Sequence, residues 1–217
     1  MAPLRTKIFV LAALPLLAAL GLVGVLLVHQ AGELEREQGR AQEEAFLAAK
    51  RDGLRNLVRL ALTSMAHLYL DGRDEAADRQ DALALLRTMD FGPDGYFFVY
   101  DLEGRNLMHP RMPQLEGRML MDLQDVNGVH VVRELIARAG EGGGFQRYDW
   151  PKPSTGESTP KLGYAVLLDR WGWVLGTGLY LDDVDMATEG WRRTLVEASR
   201  ETLGLMAVVA AVAILAV

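Results

Sequence analysis

The stretch Gly92-Pro93-Asp94-Gly95-Tyr96-Phe97-Phe98-Val99-Tyr100 decides the fold of this chain. Its first four residues combine glycine, proline and aspartate in the pattern of a tight turn. The five residues that follow are aromatic or β-branched, which strands prefer, and side chains alternate between the two faces of a strand. The sequence therefore predicts a strand with Tyr96, Phe98 and Tyr100 on one face and the residues between them on the other.

Four further strands are predicted downstream, separated by turn residues at hairpin spacing. They are Arg105 to His109, Phe145 to Trp150, Lys161 to Leu168 and Trp173 to Leu179. A helix from Val129 to Ala139, with Asp125 or Asn127 as its N-cap, is predicted between the second and third strands. Five short strands with helices beside them indicate an α+β domain built on an antiparallel sheet.

The residues before this sheet form a long helical segment, His29 to Met89, interrupted at Asp71-Gly72-Arg73 and resumed from Arg79 to Met89. Its apolar residues follow four-three spacing and so share one stripe of a helix. The stripe consists of Leu47, Leu54, Val58, Ala61, Met65 and Leu68. Two interpretations are open: packing on the domain's own sheet, which is favoured, or a coiled coil with a second subunit in a homodimer.

Two uncharged apolar runs bracket this polar domain. Ile8 to Val28 is long enough to cross a bilayer as a helix, and Leu203 to Val217 has the character of the start of a second crossing. Arg5 and Lys7 precede the first run, which predicts a cytoplasmic N-terminus and a domain on the far side of the membrane. A cleaved signal peptide is the alternative, but its apolar core is shorter and ends at a small-residue site that is missing here.

These observations predict four divisions of the chain. They are 1–28, the cytoplasmic N-terminus and first transmembrane helix; 29–89, the stalk and N-terminal helices; 90–184, the sheet domain; and 185–217, a connecting helix and the start of the second transmembrane helix. The protein is thus expected in a membrane, with the sheet domain on the side opposite the cytoplasm.

Enzyme signatures are absent from the sequence. There is no cysteine, the four histidines lack paired metal spacing, and no glycine run precedes a helix as a phosphate loop does. We therefore expect no enzymatic activity, no cofactor and no metal. The group Asp122, Asp125 and Asn127 resembles a calcium loop only faintly, and a turn with a helix cap is the favoured interpretation. A net charge of −6 argues against nucleic acid as a partner.

Aromatic and cationic residues are concentrated on the predicted strands and their loops. Each of them taken singly is best explained as a core aromatic or a solvated cation. As a set, they describe apolar walls with a few convergent cations and hydroxyl donors, which is the composition of a pocket for a small anion.

The stretch from Asp90 to Val184 resembles the single Cache sensor domains (Cache type 2) of bacterial chemoreceptors and sensor histidine kinases. Several spaced blocks carry the resemblance in the same order. They are Gly95 to Asp101, Gly104, His109-Pro110, Leu115-Glu116-Gly117, Asp122 to Gly128, Gly142 to Tyr148, Trp150 to Pro153, Lys161 to Tyr164, Trp171 to Tyr180 and Asp182-Asp183-Val184. The resemblance implies a PAS-like five-stranded antiparallel sheet behind a long N-terminal helix, flanked by two transmembrane helices.

The resemblance also implies a ligand, a small carboxylate such as acetate, propionate or pyruvate, held against the sheet. The candidate pocket residues that it implies are Tyr96, His109, Arg111, Tyr148, Trp150, Lys161 and Tyr164. In this set Lys161 and Arg111 neutralise the carboxylate, the tyrosines donate hydrogen bonds, and Trp150 forms a wall beside the methyl end.

The function that the resemblance implies is that of a transmembrane signalling receptor, foremost a methyl-accepting chemotaxis protein. The resemblance also implies a bacterial inner membrane as its location, with the sheet domain in the periplasm. The alternatives are the sensor part of a histidine kinase and a membrane-tethered module that dimerises or binds a partner without a small ligand. A periplasmic enzyme is a further possibility that no group of residues recommends.

Overall fold

The computed structural model describes residues 29–30, 32–33, 39–42, 44–71 and 75–182. Both predicted transmembrane segments, the predicted connecting helix and most of the predicted break at 71–73 lie outside these residues. Within the described ranges, no helix is long and apolar enough to cross a membrane. The chain divides into two compact units, residues 1–49 and 50–217, and the described residues of the first unit are helical.

Within residues 44–71 and 75–182 of the described chain, four α-helices precede or interrupt the sheet. They are α1 (residues 44–64), α2 (Ala66–Asp71), α3 (Glu75–Thr88) and α4 (Val131–Gly140). The helical character predicted for the N-terminal segment is confirmed in its described part, although α3 begins earlier than the predicted Arg79. The apolar stripe packs on the protein's own sheet, because Val58, Ala61 and Met65 share a core cluster with sheet residues.

The sheet is antiparallel and has six strands instead of the predicted five. They are β1 (Asp90–Phe91), β2 (Gly95–Asp101), β3 (Asn106–Met108), β4 (Gly144–Pro151), β5 (Ser158–Leu168) and β6 (Trp173–Tyr180). The order is β1-β2-β6-β5-β4, and β3 also pairs with β2. The additional strand β1 is too short to leave a periodic signal, and it exists because the turn after Phe91 folds it back onto β2.

The two faces of the sheet carry separate cores. On one face, Tyr96, Phe98 and Tyr100 of β2 pack with residues of α4. On the other, Phe97 and Val99 pack with residues of α1 and α3. The alternation predicted for this strand is therefore confirmed, and the sheet is the middle layer between α4 and the N-terminal helices.

The start of α4 differs from the prediction. The helix begins at Val131, and its N-cap residue His130 makes no side-chain capping hydrogen bond. The carboxylate of Asp125 instead accepts the backbone N–H of Val129 at 2.9 Å and that of Asp149 at 2.8 Å. The expected cap is wrong because this carboxylate joins the preceding loop to β4 and does not reach the helix end.

Candidate functional site

The centre of the sheet face below α4 has almost no side chains. Gly163 of β5 pairs with Gly178 of β6, and two residues further along β5, Ala165 pairs with Gly176. Side chains alternate along each strand, so these residues share one face with Lys161. Glycine and alanine at the centre of this face, bordered by large side chains, leave space for a hollow at this position.

Two neighbouring side chains lie close over these glycines. A Cβ atom built on Gly163 would stand 2.8 Å from Cε1 of Tyr148, and one built on Gly178 would stand 2.7 Å from Cε of Lys161. Both distances are shorter than carbon atoms tolerate, so a side chain at either position would displace the one above it. Glycine is therefore required for Tyr148 to lie across β5 and for Lys161 to lie across β6.

The space that remains forms a small hollow between the sheet and α4, with a cavity volume of about 10 Å³. Its lining is aromatic and aliphatic apart from one imidazole. The lining residues are Tyr96, Phe98, Tyr100, His109, Val131, Leu135, Tyr148 and Trp150. A cavity of this size holds about one water molecule, so the surrounding side chains must move apart slightly for an acid of a few heavy atoms to bind.

Lys161 supplies a buried cation beside the hollow. Its side chain is 1% exposed, and Nζ lies 3.9 Å from the ring centre of Tyr96 and 4.8 Å from that of Tyr180. Nζ donates no hydrogen bond to any residue that the structure describes. Burial lowers the pKa of Lys161 to about 7, and the charge of Asp94 opposes this shift only in part. Since an ammonium has three donors, this group lacks an acceptor that an anion would provide.

His109 presents a neutral imidazole to the same hollow. Its Nδ1 accepts the backbone N–H of Met112 at 3.0 Å, so the ring hydrogen belongs on Nε2. Burial, followed by the charge of Lys161, lowers the pKa of His109 to about 3. The side chain is held in place because its own backbone N–H donates to Glu116 at 2.9 Å, and Glu116 pairs with Arg87 at 2.7 Å.

The tyrosines of the hollow are protonated donors. Burial raises the pKa of Tyr96 to about 12 and raises that of Tyr148 well above its usual value. The Tyr180 hydroxyl donates to the carbonyl of Pro151 at 2.8 Å, which leaves Tyr96 as the donor in its 3.5 Å contact with Tyr180. That contact is long, so the Tyr96 hydrogen remains available to a better acceptor.

Trp150 completes the wall on the β4 side. Its ring stacks on His109 with centroids 6.0 Å apart and meets Tyr148 edge to face at the same distance. Aromatic pairs in these arrangements are favourable beyond their buried area, which fixes the rings relative to one another. The hollow is thus bounded by side chains that are already ordered.

Two of the seven predicted site residues lie away from this group. Arg111 is exposed and pairs with Asp90 at 3.2 Å. Tyr164 lies on the opposite face of the sheet, with its ring 4.7 Å from that of Phe145, because it follows Lys161 by an odd number of residues. The structure brings together Tyr96, His109, Tyr148, Trp150 and Lys161 but not these two.

A comparison with protein families identifies the fold. The model of the single Cache domain 2 family matches residues 47–194. The chain belongs to this family. The mixed helix and antiparallel sheet arrangement described above is accordingly a Cache fold, as the resemblance in the sequence implied.

Relatives of this Cache domain include receptors with two kinds of output. The sensor histidine kinase MctS of Rhizobium johnstonii is 42% identical over 182 residues, which are 83% of this chain and 40% of MctS. The methyl-accepting chemotaxis protein McpP of Pseudomonas putida is 31% identical over an alignment of 218 positions that covers 97% of this chain and 37% of McpP. The chain thus spans well under half the length of these relatives.

Solved structures of Cache domains match the fold over most of the described region. A methyl-accepting chemotaxis protein from Vibrio parahaemolyticus is 39% identical with a TM-score of 0.65, covering 68% of this chain and 99% of that one. A second solved structure concerns carboxylic acid recognition by a Cache chemosensory domain. It is 33% identical with a TM-score of 0.59, and the match covers 64% of this chain and 97% of that one.

Sequence reasoning missed several lining residues of the Cache hollow. Phe98 and Tyr100 carried a usable signal, since they alternate onto the face of Tyr96. Leu135 lies in the predicted helix, but nothing in the sequence distinguishes a helix residue that fills the core from one that borders a hollow. The glycines Gly163 and Gly178 became informative only when their pairing was known.

The Cache domain contains a second buried lysine with a different environment. Nζ of Lys152 lies 2.9 Å from Asp182 and 3.9 Å from Asp94, and Asp94 also accepts from the backbone N–H of Ser154 at 2.7 Å. This cluster joins the end of β4 to the turn before β2 and to the chain that leaves β6. Its charge is compensated within the protein, unlike that of Lys161.

Among the described residues, no group of three or more His, Asp and Glu could hold a metal ion. In the loop considered above as a faint calcium pattern, Asp122 pairs with Arg133 at 2.6 Å and Asp125 binds backbone N–H groups. These carboxylates already have protein partners.

Proposed function

We propose that this chain is the sensor part of a bacterial inner-membrane receptor whose periplasmic Cache domain binds a small organic acid. Support comes from the family, from relatives that are chemotaxis proteins and a sensor kinase, and from the ordered hollow between the sheet and α4. Acetate, propionate and pyruvate represent the proposed class of ligand.

The observation that carries this proposal is the buried ammonium of Lys161 without an acceptor among the described residues. Burying a cation costs free energy unless it is paired, and two aromatic rings compensate it only in part. A carboxylate would complete its hydrogen bonding with a charge-assisted contact, which contributes roughly 1.5–3 kcal/mol.

The neighbouring groups have complementary parts in this proposal. Nε2–H of His109 and the hydroxyls of Tyr96 and Tyr148 are donors that a carboxylate or keto oxygen accepts. Trp150 and the aliphatic residues of α4 surround the apolar part of the acid. Because His109 stays neutral over the physiological range, it contributes a hydrogen bond without a second buried charge.

The size of the hollow limits the affinity. Binding free energy reaches at most about −1.5 kcal/mol per heavy atom, so the four heavy atoms of acetate give at most about −6 kcal/mol. This corresponds to a Kd of tens of micromolar. Three- and four-carbon acids that still fit would bind in the low micromolar range.

Transmission is proposed to run from β6 into the second transmembrane helix. Tyr180 contacts the hollow through Tyr96 and precedes Asp182, which Lys152 holds at 2.9 Å. Only an acid that binds one arrangement of these residues better than another can shift the helix. We propose chemotaxis as the output; a histidine kinase is the second candidate, favoured by the 42% identity to MctS. A homodimer is the proposed assembly.

The test is isothermal titration of the purified chain with acetate, propionate, pyruvate and butyrate. We expect binding of at least one acid at micromolar Kd, weakened tenfold or more by Lys161→Met. Arg118→Met, at an exposed position that does not line the hollow, serves as the control and should leave the Kd unchanged. Absence of binding for every acid, or equal binding by wild type and Lys161→Met, would overturn the proposal.

A further inference from the structure

A cationic side chain and an aromatic ring lie over two neighbouring strands of the sheet beside the hollow. Lys161 lies over Gly178 of β6, whereas the Tyr148 ring lies over Gly163 of β5. These two glycines are direct partners in the sheet, and neighbouring strands are about 4.8 Å apart. A small molecule bound to the Lys161 ammonium can therefore extend by about one strand spacing before it meets the side chains above β5.

Leu135 of α4 closes that far side from above. A Cβ on Gly163 would stand 3.2 Å from Cδ2 of Leu135, so the leucine reaches down almost to the sheet beside Tyr148. Leu135 is 1% exposed and lines the hollow. Its neighbour in the lining, Val131, is one helical turn nearer the start of α4 and is a shorter side chain.

We propose that Leu135 is the residue that sets the greatest chain length of the acid this hollow accepts. This inference rests on the proposed function. With the carboxylate at Lys161, the carbon chain of the acid extends across β6 and β5 and ends against the Leu135 side chain. Tyr148 forms the same boundary, but it is also a proposed hydrogen-bond donor, whereas Leu135 has no polar atom and affects size alone.

The expected effect follows from the volume removed. Leu135→Ala deletes three carbons from the wall, which makes room for about two more methylenes of ligand. Each additional methylene that becomes buried strengthens binding roughly fourfold. Acids with two more carbons than the best wild-type ligand should therefore bind the variant about fifteenfold tighter than they bind wild type, while acetate gains nothing.

The test is a titration series of straight-chain acids from two to seven carbons against the full chain. Leu120→Ala is the matched control, because Leu120 is a buried leucine of the same core cluster that does not line the hollow. The control should lose stability without a change in the order of preference. Leu135→Val, a milder variant, should shift the preference in the same direction by a smaller amount if Leu135→Ala does not fold.

The outcomes separate the two proposals. A shift of the preferred length in the Leu135 variants, and not in Leu120→Ala, supports the inference. Wild-type binding of short acids with an identical length profile in Leu135→Ala or Leu135→Val overturns the inference and leaves the proposed function intact. Failure of wild type to bind any acid overturns both.

Discussion

The ammonium nitrogen of Lys161 lies 3.9 Å from the centre of the Tyr96 ring, in the interior of the domain. An aromatic face attracts a cation, but less strongly than a carboxylate does when both are shielded from water. We expect a bound acid to replace part of this contact. The protonation of Lys161 should therefore affect both the ligand affinity and the stability of the domain.

Ligand affinity should fall as the pH rises above about 7. The buried Lys161 has a pKa of about 7 without ligand, and only its protonated form pairs with a carboxylate. Affinity should be nearly constant below that pH and should decline by up to about tenfold per pH unit above it. Titrations of propionate between pH 5.5 and 9 measure this dependence. A Kd that is unchanged from pH 6 to 9 would contradict it.

The same lysine should make the domain more stable as the pH rises, although it makes ligand binding weaker. In the unfolded chain Lys161 returns to its ordinary pKa of 10.5, so between about pH 7 and 10.5 the unfolded state binds more protons. The contribution of Lys161 to the free energy of unfolding should then rise with pH across this window. Urea denaturation at pH 7 and 9 measures how the free energy of unfolding changes with pH in wild type and in Lys161→Met. Parallel changes in both proteins would show that Lys161 is not responsible.

Lys152→Met should destabilise the domain by about 3 kcal/mol. The substitution leaves the buried carboxylate of Asp94 without the cation at 3.9 Å and frees Asp182 from its 2.9 Å ion pair. The free energy of unfolding in urea measures the loss, with Arg118→Met as a surface control that should change it by less than 0.5 kcal/mol. A loss below about 1 kcal/mol for Lys152→Met would mean that this cluster is not an essential tie between β4 and the end of β6.

Gly176→Ala should destabilise the fold by about 1–3 kcal/mol, since its Cβ would stand 2.3 Å from Cε2 of Phe98. Gly53→Ala is the matched control, because a Cβ there meets nothing within 4 Å and the residue is helical, so alanine should stabilise by up to about 1 kcal/mol. Thermal denaturation distinguishes the two. Equal stability of both variants would disprove the close approach of Phe98 to β6.

Arg111→Ala should change acid affinity by less than about threefold. Its guanidinium pairs with Asp90 at the surface, and exposed pairs of this kind contribute at most about 1 kcal/mol. The titration used for Lys161→Met provides the comparison. A tenfold loss in Arg111→Ala would mean that Arg111 turns inward to bind the acid, as the sequence resemblance suggested.

Strand periodicity accounted for the part of the site that lies on β2 and β4. Tyr96, Phe98 and Tyr100 alternate onto one face, and Tyr148 and Trp150 share that face. The Cache resemblance added Lys161 and His109. The alternation is confirmed because a period of two is a direct consequence of strand geometry, whereas the binding role of these residues stays a prediction.

The remaining site residues depended on relationships that the sequence does not display. Tyr164 was grouped with Lys161 although an odd separation places them on opposite faces. Arg111 follows Pro110 in a loop, where no periodicity gives its direction, and it pairs with Asp90 at the surface. Asp125 had the residue type of a helix cap, but a strand backbone competes for the same carboxylate.

A crystal structure of the domain with propionate would locate the acid directly. The expected result is a carboxylate oxygen about 2.7–2.9 Å from Nζ of Lys161, with the methyl end toward Leu135. An acid bound elsewhere, or oriented with its carboxylate away from Lys161, would contradict the proposed site.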